Sequence, residues 1–264
     1  MPLTTHETAE VDAANLSGRR PVVFVHGLWL LSNSWDRWRR LFEDAGYATV
    51  APGWPDDPDT VTDHYLEAIG GLTTKPAVVG HSFGGLIAQK IAGEGASACT
   101  VAIDPAPGRG VLPLPASALK SGSPVLGNPA NSRRSVTLTF DEFKYGWANA
   151  LDDAEARALY DEFHVAASGV PIFQAAVANL NPFSETKVKF KAEDRGPMLV
   201  ISGERDHTVP HAIAHAAYKK HLKNPGVTEF AEIPDRGHSL TIDHGWQEVA
   251  QTALDFVAKH DPAT

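Results

Sequence analysis

Residues 76–93 read PAVVGHSFGGLIAQKIAG. The apolar run Pro76–Gly80 has the make-up of a buried strand, and the amphipathic stretch ending near Gly93 has that of a helix. Between them stands Ser82. So sharp a turn needs small residues two places before and two places after the serine, where a Cβ would strike neighbouring backbone. Gly80 and Gly84 occupy those places, and Gly85 lets the helix pack closer still. The turn lifts the Ser82 hydroxyl clear of the sheet. It also points the Phe83 N–H and the positive end of the helix at any oxygen reacting beside it. A bare GxSxG pattern arises by chance fairly often; the strand before it, the helix after it and the partners described below give this one its weight.

Working outward, short apolar runs alternate with helical patterns, which predicts an α/β fold with a mostly parallel central sheet flanked by helices. The strands fall at Pro21–Val25, Tyr47–Ala51, Pro76–Gly80, Cys99–Asp104, Met198–Ser202 and Val227–Ile233. Trp35, Trp38, Leu41, Phe42 and Ala45 recur at helical spacing and read as core, with Gly46 stopping their helix. Further helices are expected at Val61–Ile69 and Gln247–Lys259. Residues 1–264 read as a single domain. Within it the rhythm breaks over 105–196, roughly ninety residues and too long for an unstructured loop. That insertion begins Pro- and Gly-rich over Pro105–Pro129 and turns helical at Asp141–Leu151, Asp153–Ala167 and Pro171–Leu180. Its position after a parallel strand makes it a helical lid over a ligand site.

Composition narrows the function. The chain has 264 residues, 43% of them hydrophobic, and a formal charge of -9. That balance disfavours nucleic-acid or anionic-membrane partners and leaves a small-molecule substrate. Arg37, Arg39 and Arg40 form the densest basic cluster, accounted for by one solvated helix face. A single cysteine, Cys99, excludes an intramolecular disulfide and a cysteine-built metal site, and its place in an apolar strand makes it a buried structural thiol. The first eighteen residues have neither the basic start nor the apolar segment of a secretory signal, so a cytoplasmic location is the default expectation.

A serine hydroxyl is a poor nucleophile near neutral pH and needs a base, itself oriented by a carboxylate. The run MLVISGERDHTVP ends a strand in a turn carrying Asp206, with Glu204 in the same turn and Asp104 after the fourth strand as rival acids. The run EFAEIPDRGHSL ends the last strand in a Gly-His turn carrying His238, with His207 and His244 as rivals. Ser82, Asp206 and His238 all follow C-terminal ends of parallel strands, where they can converge. His211 and His215 stand four apart, a spacing that could hold zinc, but no third ligand accompanies them and a solvated helix face explains them better.

With these motifs on the page, the sequence resembles the α/β-hydrolase superfamily from its first strand to its last turn. The resemblance implies a catalytic Ser82, Asp206 and His238 and, through VFVHGLWL, an oxyanion hole built from the backbone N–H groups of Leu28 and Phe83. It makes His26 structural and Gly27 a turn former, and it implies no cofactor and no metal. The family usually opens with an antiparallel hairpin, whereas residues 1–20 hold no convincing apolar strand, so a trimmed sheet of six or seven strands is expected. The implied activity is hydrolysis of a carboxylic ester or lactone through an acyl-enzyme. Amide, carbamate or C–C bond hydrolysis, perhydrolysis, hydroxynitrile lyase chemistry and simple ligand binding are the alternatives. Trp29, Trp54, Phe140, Phe143 and Trp147 are candidate walls of the substrate site, and aromatic walls favour an uncharged substrate.

Overall fold

Alternating apolar runs become strands and helices in a computed structural model, which describes residues 2–181 and 183–263. In chain order the first half holds α1 (Thr5–Ser17), β1 (Pro21–Val25), α2 (Asp36–Asp44), β2 (Ala48–Val50), α3 (Val61–Gly70), β3 (Ala77–His81), α4 (Phe83–Gly93) and β4 (Cys99–Ile103). Next come α5 (Ala116–Leu126), β5 (Ser135–Val136), α6 (Phe140–Gly146), α7 (Asp153–Phe163), β6 (Ala167–Ser168) and α8 (Val170–Val177). The chain then completes the sheet with β7 (Met198–Gly203), α9 (His211–His221), β8 (Thr228–Ile233) and α10 (Trp246–His260).

The main sheet has the order β2-β1-β3-β4-β7-β8, and every neighbouring pair is parallel. Each of β1, β3, β4 and β7 is buried along its whole length, as a parallel sheet covered on both faces requires. Alternate side chains feed two cores. Val22 and Phe24 point into one with Trp35, Trp38, Phe42 and the α10 residues Val249, Ala253 and Phe256. Val23 and Val25 point into the other with Tyr65, Val78 and Ile91. Phe24 is boxed in by Trp35 at 5.1 Å and by Phe42 edge-on at 5.3 Å between ring centroids. The tryptophan stripe is therefore core. Cys99 is fully buried as well, and burial pushes its thiol up to about 12.

Strand β1 pairs with β2 on one side and with β3 on the other, so the winding direction reverses between β1 and β3. In open α/β sheets a crevice forms at such a reversal, beyond the carboxyl ends of the strands. Val25 is in register with Gly80, which brings the turn after β1 beside the turn after β3.

The sheet has the trimmed size expected, and where the hairpin would lie the chain forms α1. Thr4 and Glu7 make a capping box, and Gly18 closes the helix with φ 66°. Only Val11 and Ala14 give α1 a buried apolar face, too little for hydrophobic periodicity to reveal it. Its attachment is polar instead. Glu7 accepts from the Gly53 N–H at 3.0 Å and binds His64 Nε2 at 3.0 Å, and Glu10 accepts from the Ala51 N–H at 3.1 Å. Arg39 pairs with Glu10 at 2.8 Å. Its guanidinium is thus part of this joint, which corrects the reading of Arg37, Arg39 and Arg40 as one solvated face.

The insertion is helical, with different bounds from those expected. Its first helix, α5, lies inside the Pro-rich stretch, starting after Pro115 and containing Pro124 in its last turn. Helix α6 ends at Gly146 and not at Leu151, α7 ends at Phe163, and both lie between the two-residue strands β5 and β6, which pair antiparallel. Among the described residues no helix is long and apolar enough to cross a membrane.

Burial pushes the Glu7 carboxyl up, but the hydrogen bonds from His64 and Thr4 outweigh it and leave the group below its ordinary 4.5. A depressed carboxyl stabilises the fold fully above that value, and the contribution is lost as the pH falls through the lower folded value. Glu7→Ala should cost roughly 2–3 kcal/mol at neutral pH by stranding the Gly53 donor and His64. The check is a fall in urea midpoint at unchanged slope, with the deficit shrinking in acid.

Candidate active site

Ser82 adopts φ 57° and ψ -122°, a region that L-residues rarely occupy and that neighbours must enforce. Its N–H donates to Ile103 O at 2.9 Å, and its own carbonyl accepts from Ala106 N at 2.9 Å and Leu86 N at 3.1 Å. A Cβ at Gly80 would collide with the Gly84 carbonyl, and one at Gly84 with the Val25 carbonyl. At Gly27 a Cβ would come 2.9 Å from the Ser82 Cβ. The three glycines thus allow β1, β3 and α4 to close around the serine. Trp29 and Asp104, just past β1 and β4, share its positive φ, at 61° and 38°.

The turn after β7 carries Asp206, whose Oδ1 accepts from the N–H groups of Thr208 at 2.6 Å and Val209 at 2.9 Å. Its Oδ2 accepts from His238 Nδ1 at 2.6 Å. Ser82 Oγ lies 2.9 Å from His238 Nε2 and donates to it when Nδ1 carries the ring proton. The His238 ring is fully buried between His81, at 4.7 Å, and Trp147, at 4.6 Å between centroids. The Ser239 N–H donates to Trp147 O at 3.0 Å, fixing the turn that bears the imidazole.

The rival residues lie elsewhere or act differently. Glu204 accepts from the Asp235 N–H, and His207 contacts Tyr145 O. His244 is held by Glu155 and Arg236. Asp104 does reach the site. Its Oδ1 accepts from Gly203 N–H at 2.9 Å, its Oδ2 is buried without a donor among the described residues, and its carboxyl lies beside that of Asp206. His211 binds Glu232 and stacks near His215 without a third ligand beside them among the described residues. Donor atoms of His81, Asp104 and His238 lie within 4.8 Å of one another. Both His238 nitrogens are already engaged by Asp206 and Ser82, which disfavours a cation there.

Phe83 opens α4 with a free N–H, and Leu28 follows Gly27 at the close approach to Ser82. Among the described residues no hydrogen bond uses either N–H. His26 is buried and contacts Gly27 O at 2.9 Å, while Trp54 stacks on it and donates to its carbonyl at 3.1 Å.

A cavity of about 340 Å³ opens beside Ser82 and Phe83. Trp29 lines it, along with the largely apolar faces of α5 (Ala118, Leu119, Gly122) and α8 (Ile172, Ala175, Ala176) and with Val209 and Ile213. Trp54 adjoins a separate small hollow near Pro58. Phe143 and Trp147 are fully buried and stack at 5.9 Å, and Phe140 packs on Tyr160. None of these last four is among the residues lining the main cavity. The α8 wall was missed in sequence, although 172, 175, 176 and 179 recur at helical spacing and mark one face.

Residues 22–252 match a family model described as the alpha/beta hydrolase family. No curated protein matches the chain significantly by sequence. Among solved structures it is similar to a monoacylglycerol lipase of Paleococcus ferrophilus, with 22% identity over 91% of this chain and 95% of that one and a TM-score of 0.65. It is also similar to a thermophilic esterase from Thermogutta terrifontis, with 18% identity, coverage of 91% and 90%, and a TM-score of 0.66. Tomato methylketone synthase I is a third, with 16% identity, coverage of 92% and 99%, and a TM-score of 0.67. At such identities these likenesses carry the fold alone.

Burial lowers His26 from 6.5 to about 4. In the unfolded chain it protonates near 6.5, so its contribution is intact above that pH and is lost between 6.5 and about 4. The loss should reach roughly 3 kcal/mol at 1.36 kcal/mol per unit. His26→Gln should flatten the acid side of the stability curve by that amount, as measured by urea denaturation at stepped pH.

Proposed function

The chain belongs to the alpha/beta hydrolase family, and from that premise we propose that it is a serine hydrolase cleaving a carboxylic ester or lactone of a small, mostly uncharged substrate. The observation that carries this reading is the hydrogen-bonded line from Ser82 Oγ through His238 to Asp206. His238 Nε2 takes the hydroxyl proton as Ser82 attacks the carbonyl carbon, and Asp206 holds the tautomer and stabilises the imidazolium. The unused N–H groups of Leu28 and Phe83 receive the negative charge that develops on the carbonyl oxygen. His238 then passes its proton to the leaving alcohol, and the acyl-enzyme is released when the same imidazole activates water.

Support for an uncharged substrate comes from the cavity, whose walls are chiefly Leu, Ile, Ala and Pro side chains. Its volume suits one compact apolar group. Helices α5 and α8, with the 106–114 segment that leads into α5, form most of those walls and act as the lid in this reading. Helix α6 and the residues just after it serve as a fixed buttress, because Trp147 and Asn149 bind the turns that bear His238 and Asp206, while Glu155 of α7 holds His244 farther along the last loop.

A fluorophosphonate should label one residue, and Ser82→Ala should abolish both labelling and turnover of p-nitrophenyl esters; labelling that maps to another serine would sink the assignment. Asp206→Asn should leave the fold intact and lower kcat by about 10³–10⁴. Leu119→Trp should narrow the cavity, shifting preference toward shorter acyl or alcohol groups by roughly 10–200-fold in kcat/KM for the longest good substrate. Trp147→Ala, by contrast, should slow every ester together, because this side chain packs on His238.

A further inference from the structure

Asp104 leaves β4 with a left-handed backbone, φ 38°, and a side chain wholly removed from solvent. A non-glycine residue is held there only under surrounding constraint. Its two oxygens have different surroundings. Oδ1 accepts from the Gly203 N–H at 2.9 Å. Oδ2 is buried and accepts from no N–H or hydroxyl among the described residues, while the carboxyl group lies against that of Asp206.

Two ionised carboxyls in contact repel, and among the described residues neither is ion-paired with a lysine or arginine. Contact between them is satisfied when one proton lies between the two groups. The donors decide which group keeps it. Asp206 receives three N–H bonds, from Thr208, Val209 and His238, which suit an anion. Asp104 receives one. The titratable groups that face it are Asp206 from the β7 turn, His81 from the end of β3 and His238 from the β8 turn.

We propose that Asp104 is a positioning residue for Asp206: a neutral carboxylic acid that donates its proton to the Asp206 carboxylate and so keeps Oδ2 of that group turned toward His238. Burial first, and the Asp206 charge second, push the Asp104 carboxyl well above the usual carboxylate range, in keeping with this role. Asp104 also grips the Gly203 N–H at the start of the turn that bears Asp206. One side chain on β4 therefore clamps the acid turn at two points. The kinetic part of the proposal rests on the serine-hydrolase reading, whereas the protonation state does not.

The test pairs Asp104→Asn with Asp104→Ala. Asparagine tolerates a left-handed φ and offers an N–H where the acid offers an O–H, so kcat should stay within about threefold of wild type. Alanine removes the donor and should lower kcat on the order of 10–100-fold at nearly unchanged KM, by analogy with the loss of a hydrogen-bond partner that orients a metal-ligating side chain. Infrared difference spectra of wild type against Asp104→Asn, near neutral pH and without substrate, should show one protonated-carboxyl C=O stretch belonging to Asp104. If Asp104→Asn folds but loses as much activity as Asp206→Asn, or if the protonated-carboxyl band is missing, the proposal is overturned. Should Asp104→Ala fail to fold, the asparagine variant and the spectrum decide. A chain that fails the Ser82 labelling test yet shows the band keeps the proton on Asp104 and overturns the hydrolase reading alone.

Discussion

The arrangement around Ser82 depends on how closely the backbone of one turn approaches that of the next. The turn after β1 and the elbow after β3 approach so nearly that a single methyl group at Gly27 would press on the serine side chain. Helix α4 in turn meets the end of β1 through Gly84. Side-chain volume is absent where the backbones cross, and the Ser82 backbone, held out of its preferred region by hydrogen bonds to Ile103, Leu86 and Ala106, has no room to relax. The strain is local, and the buried strands β1, β3 and β4 on which it sits bear it.

Around that fixed point the polar groups are graded by burial. His238 sits in a sleeve made by His81 and Trp147, removed from solvent, with a hydrogen bond at each ring nitrogen. Burial holds the neighbouring His81 imidazole well below the usual range, which keeps a positive charge away from the side of the His238 ring. The walls that meet a ligand come from different helices than the walls that steady the imidazole. Helices α5 and α8 face the cavity, whereas the end of α6 and the residues after it are tied to the two turns through Gly146, Trp147 and Asn149.

Legibility in the sequence followed the same division. Ser82, Asp206 and His238 could be read because each sits in a short turn, punctuated by glycine or proline, directly after an apolar strand. Strands β1, β2, β3, β4 and β7 were legible because fully buried parallel strands are continuous apolar runs, whereas β8 at the sheet edge is only half-buried. Helix α1 was not, since its attachment is carried by Glu7, Glu10 and Arg39 and not by an apolar stripe; the Thr4–Glu7 capping box was its one local signal. Helix α5 was hidden by its flanking prolines. Phe143 and Trp147 show a further limit: spacing of four places two rings on one face of a helix, but it does not say which way that face turns. Tertiary packing turned it toward His238 and Tyr160.

Strand β7 finds its partner β4 across the whole insertion, with Thr100 opposite Met198. The entropy of bringing two chain segments together grows only with the logarithm of the intervening length, about 0.6 kcal/mol per doubling. The sheet is therefore almost indifferent to how long that excursion is. In evolutionary terms the scaffold can accept lengthened, shortened or exchanged α5 and α8 segments and still pair the same strands. Segment 145–149 lacks that freedom, because it is anchored at fixed places to the turns that bear Asp206 and His238. Freedom to vary in length and obligation to stay in place are thus assigned to separate stretches of one continuous insertion.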